Sequence, residues 1–89
     1  MPTISRFYGI LIQMYLDEHP PPHFHALYGE HEATIAIDTL DVIHGRLPRR
    51  VQSLVVEWAM IHRPELRDNW ARAEQLTPLA KIPGLDEES

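Results

Sequence analysis

His23-Phe-His-Ala-Leu-Tyr-Gly-Glu-His-Glu-Ala-Thr-Ile-Ala-Ile-Asp38 alternates apolar and polar residues on both sides of Gly29-Glu30. A period of two predicts strands over His23–Tyr28 and Glu32–Asp38, and Gly29-Glu30 suits a two-residue turn of the Gly-X type. Such a turn fixes the register. It sets Tyr28 against His31, Ala26 against Ala33, His25 against Thr34 and Phe24 against Ile35. Phe24, Ala26, Ala33, Ile35 and Ile37 then share one face, and His23, His25, Thr34, Ala36 and Asp38 share the other. The two histidines are therefore expected to point away from the apolar core.

Upstream, Ile4 to Leu16 alternates on its even positions, Ile4, Arg6, Tyr8, Ile10, Ile12, Met14 and Leu16. This reads as one long first strand, with Gly9 marking a bulge or a close backbone approach. Matching its apolar set to that of the next strand puts Met14 near Ala26, Leu16 near Phe24, Tyr15 beside His25 and Asp17 near His23. Asp17 to Pro22 forms a loop, because three consecutive prolines cannot join a sheet ladder. Asp41 to His44 forms a short further strand ending at Gly45.

Pro48 is a good first helical residue. Val51, Leu54, Val55, Trp58, Ala59 and His62 follow at helical spacing and mark a stripe facing the sheet. Pro64 opens a second helix carrying Leu66, Trp70 and Ala73. The expectation is an α+β domain over residues 1–76, a small antiparallel sheet of three to four strands followed by two helices packed on one face. Pro78, Pro83 and Gly84 end regular structure and leave residues 77–89 as a C-terminal tail.

The chain has 89 residues, so it holds one domain. It has no cysteine, which excludes disulfides and thiolate metal sites. No apolar run approaches the ~20 residues that span a bilayer, and no leader-like segment opens the chain, so a cytoplasmic location without membrane partners is expected. The net charge of −5 disfavours nucleic acid overall, yet six arginines cluster between Arg46 and Arg72. Gly29, Gly45 and Gly84 read as turn glycines, and no phosphate-cradling loop calls for a nucleotide.

His19-Pro-Pro-Pro-His-Phe-His25 is the candidate site. His23 and His25 leave one face of a strand, and His19 can close over them, with Asp17 or Asp38 adding an oxygen donor. Three such ligands with an open position suit a zinc-like divalent metal. Alternatively, His23 and His25 act as general base and acid without metal, assisted by Tyr15 or Tyr28, with Arg49, Arg50 or Arg6 neutralising a phosphorane. A third reading is a non-catalytic protein-interaction module built on the stiff loop, and a fourth gives the segment a purely structural role.

Met1-PTISRFY-Gly9, His19-PPPHFHALY-Gly29, Gly45-RL-Pro48 and Leu54-VVEWAMIHRPELRDN-Trp70 together resemble the small bacterial family of unknown function DUF4160. That resemblance implies a toxin-like component of a toxin–antitoxin-type gene pair with a small cognate protein partner. In that context the acid–base reading becomes RNA cleavage through the His19–His25 segment.

Overall fold

The computed structural model describes residues 3–87. Five strands form one antiparallel sheet in chain order, β1 (Thr3–Phe7), β2 (Ile10–Gln13), β3 (His23–Tyr28), β4 (His31–Ala36) and β5 (Val42–Arg46). Two helices follow, α1 (Arg49–Ile61) and α2 (Arg63–Glu74), and a short 3-10 turn spans Leu85–Glu87. The α+β class is as the sequence indicates, with five strands in place of three to four.

The extra strand comes from the N-terminal stretch, which is a hairpin and not one strand. Tyr8 and Gly9 both take positive φ, 49° and 78°, as a two-residue type I′ turn requires. The bulge falls between Thr3 and Ser5 instead of at Gly9. Arg6 is consequently exposed, and Phe7 takes the inward position. Strand β3 pairs with Ile12 opposite Ala26 and Gln13 opposite His25, two residues from the expected register. A shift of two preserves parity, so Ile10, Ile12 and Met14 still face the core. The β3–β4 ladder has the expected register throughout, with Gly29 at φ 57° in its turn.

The apolar face of the sheet is covered by α1. Trp58 is fully buried, its ring centroid 5.4 Å from Phe7 and 5.9 Å from Phe24, and its indole N–H donates to the Pro83 carbonyl at 2.8 Å. Val51, Val55, Ala59 and His62 are buried along the same stripe. Pro48 occupies the N-cap of α1, while Pro64 lies in the first turn of α2. No helix among the described residues is long and apolar enough to cross a membrane.

Residues 77–87, expected as a tail, pack along the domain. Ile82 is buried, its N–H donates to the Ile4 carbonyl at 2.8 Å, and the Asn69 side chain exchanges two hydrogen bonds with Ala80. Residues 88 and 89 lie outside the described residues. Gly45 sits within β5 and serves close approach as well as turning. A Cβ there would run into the Glu32 backbone, at a φ of 81° that disfavours side chains.

Helix α2 closes the end of the sheet where β3 begins. Its Trp70 ring lies 5.1 Å from that of His23, and the Ala73 carbonyl accepts the Asp17 N–H at 3.3 Å. Arg63 donates to the Ile37 carbonyl and Arg67 binds Asp38 at 3.0 Å. The loop carrying the prolines is thereby held between β3 and α2.

Candidate metal centre

Alternation along β3 sends Phe24 and Ala26 into the core and leaves His23 and His25 together on the other side. Their ring centroids are 5.2 Å apart and their planes nearly perpendicular. Facing away from the apolar core has not made them exposed. His23 is only 8% accessible because Trp70 covers it, and the His25 side chain is similarly enclosed. The Tyr15 ring meets His25 edge-on at 5.0 Å and forms a wall of the site.

Glu18, from the loop preceding the prolines, reaches back over both rings. Its Oε1 lies 2.9 Å from His25 Nε2 and 3.2 Å from His23 Nε2. One donor atom from each of Glu18, His23 and His25 falls within 4.8 Å of the other two. This His/Glu cluster can hold a metal ion, and it is the one group of its kind among the described residues.

The surrounding hydrogen bonds orient the ligand atoms. His23 Nδ1 lies 2.7 Å from the Pro21 carbonyl, which can only accept, so Nδ1 carries a proton. In the neutral ring Nε2 is then a bare lone pair aimed at a carboxylate oxygen. Two acceptors that close need a proton or a metal ion between them. His25 Nδ1 faces the Thr34 hydroxyl at 3.4 Å, with the Glu32 carboxylate at 3.9 Å. Such partners behind a ring are what fix a ligating histidine's tautomer. Burial acts to raise the Glu18 carboxyl's pKa, but hydrogen bonds and charge from His25, then His23, outweigh it and lower the value.

The other sequence-predicted residues are placed differently. Asp17 and His19 are exposed and stand outside the cluster. Asp17 uses its backbone N–H on α2, with φ at 59°, and Glu18 supplies the oxygen expected of it. Asp38 is held by Arg67. The Tyr15 hydroxyl donates to Gln13 Oε1 at 2.8 Å, and this contact ties the wall residue to β2. Arg49 and Arg50 open α1, and Arg50 lines a cavity with Tyr8 and Tyr28 at the far end of β3. Tyr28 lies five residue steps along the strand from His23, roughly 17 Å. Arg6, on β1, has no hydrogen bond or ion pair with the cluster. The ion-pair partners of the Glu18 carboxylate are the two histidines, not an arginine.

Glu18 is the member of the cluster that the sequence reasoning missed. It is an acid beside the proline run, and its side chain meets the histidines only because the loop folds back. The model of the family described as a domain of unknown function, DUF4160, matches residues 9–71, more than half of the chain and all of the cluster. No curated protein and no solved structure matches significantly. The chain belongs to the DUF4160 family.

Proposed function

We propose that this member of the DUF4160 family binds a divalent transition metal ion through Glu18, His23 and His25. The carrying observation is the convergence of both Nε2 atoms on one carboxylate oxygen, with the His23 lone pair turned there by Pro21. Ligand bonds of about 2.0–2.2 Å in tetrahedral geometry put neighbouring donor atoms about 3.3 Å apart. The separations of 2.9 and 3.2 Å need little adjustment to reach that. Two imidazoles and one carboxylate suit zinc, and three protein ligands leave a fourth position open. A metal held this way supplies Lewis acidity and acidifies a bound water. Around it, Trp70 and Tyr15 limit solvent, while Pro21 and Thr34 hold the two rings.

RNA cleavage as a toxin-like component is the less supported reading. It needs cationic groups beside His23 and His25, and Arg49 and Arg50 belong to another part of the surface.

Metal content by mass spectrometry and chelator-competition titration with zinc test the proposal. One equivalent bound more tightly than about micromolar is expected. Glu18→Gln and His25→Ala should each bind that equivalent more weakly, by about tenfold or more, while keeping the native circular dichroism spectrum. Wild-type binding weaker than micromolar, or equal binding by the variants, would overturn it.

A further inference from the structure

Helix α1 carries a second stripe besides the one that covers the sheet. Arg49, Ser53, Val56, Glu57 and Met60 recur at helical spacing on its outer side. With Arg46 and Leu47 at the end of β5, these residues line a groove of about 750 Å³. Its floor is apolar, with Leu47 buried, Val56 half-buried and Met60 63% exposed. A methionine that open, next to a concave apolar surface, suits contact with another molecule.

The charge at the rim is opposite to that of the whole chain. The net charge is −5, yet Arg46, Arg49 and neighbouring Arg50 gather where Glu57 is the one acid lining the groove, with Glu32 opposite Arg46 in the β4–β5 ladder. The guanidinium groups of the three arginines make no ion pair or hydrogen bond among the described residues. Elsewhere on the surface, Arg67 and Arg72 are each paired with an aspartate. A local positive field over an apolar floor is complementary to a ligand carrying both carboxylates and aliphatic groups.

We propose that the groove between the end of β5 and the outer stripe of α1 docks an acidic, aliphatic-rich peptide segment of a partner protein. Its carboxylates meet Arg46 and Arg49, and its apolar side chains lie on Leu47, Val56 and Met60. RNA fits less well, because no aromatic ring lines this groove to stack a base and Glu57 repels phosphate. A second copy fits less well too, because pairing this face with itself would bring arginines together. The inference is independent of metal binding, since none of the groove residues belongs to the cluster.

The test is fluorescence anisotropy with a short labelled peptide of alternating glutamate and leucine. Its lysine–leucine counterpart and a labelled oligouridylate serve as comparison probes. Saturable binding of the glutamate peptide is expected, weakened by salt and absent for the lysine peptide. Arg46→Glu/Arg49→Glu should weaken it by about tenfold or more, and Met60→Glu should weaken it with unchanged melting temperature. Absence of binding, equal binding of both peptides, or insensitivity to the arginine reversal would overturn the proposal. So would tighter binding of oligouridylate, or dimerisation in sedimentation that the same substitutions abolish.

Discussion

The two sides of β3 are both nearly closed to solvent, and they are closed by different physics. On one side Phe24 and Ala26 are fully buried in a close-packed apolar layer under Trp58. On the other, His23 and His25 are enclosed by a carboxylate, a carbonyl, a hydroxyl and two aromatic rings. Dispersion and dehydration hold the first side, where any similar volume would serve. The second depends on which atoms carry protons, so only particular donors and acceptors will do. One strand thus separates what folds the domain from what can bind an ion.

The apolar side should break hardest. Trp58→Ala removes the ring that contacts both Phe7 and Phe24 and the indole N–H that holds Pro83. A loss of about 3–5 kcal/mol in urea unfolding is expected. A loss near zero would mean that the C-terminal segment refills the space.

His23→Ala comes next. The alternation implies a residue that can be truncated without cost to stability. Yet the imidazole lies under Trp70, donates to Pro21 and partners Glu18. Truncation removes these contacts and leaves space beneath Trp70 where the buried ring stood, so about 1–3 kcal/mol should be lost in the metal-free protein. A loss below that in chelator-treated samples would restore the simpler picture of a histidine held for ligation alone.

A tighter probe of the polar side is Glu18→Gln, which keeps shape and removes charge. The carboxylate is partly solvated, so metal-free stability should change by less than about 1 kcal/mol. Zinc affinity should fall by about tenfold or more, read by chelator competition. Equal affinity would place the metal elsewhere.

How much of this the sequence shows depends on the range of the interaction. The β3–β4 register is legible because a Gly-X turn and a period of two agree within sixteen residues, His23 to Asp38. The N-terminal hairpin is hidden because Tyr8 is an unusual residue for positive φ, and the even-numbered alternation runs straight through the turn. His23 and His25 are legible as a pair from strand geometry alone. Glu18 and the cover of His23 are not, because the loop's return and Trp70's position depend on α2. The carboxylate that meets the histidines belongs to Glu18, one residue beyond Asp17. The packed stretch 77–87 shows neither helical nor strand periodicity, and its partners are as remote as Ile4 and Trp58.

Thr34→Val gives the finest cut between the two sides. Thr34 stands opposite His25 in the ladder, and its hydroxyl faces Nδ1 at 3.4 Å. Valine is β-branched, keeps strand preference and fills nearly the same space, so the fold should be little affected. What changes is the group that orients the imidazole. Loss of such a partner costs about 10–100-fold in metal affinity, and the length of this bond argues for the low end. Zinc binding about tenfold weaker, with the melting temperature of the metal-free protein unchanged, would show the hydroxyl acting through the ring. Unchanged affinity would assign that task to Glu32, whose carboxylate stands 3.9 Å from the same nitrogen, and Glu32→Gln would then carry the tenfold loss instead.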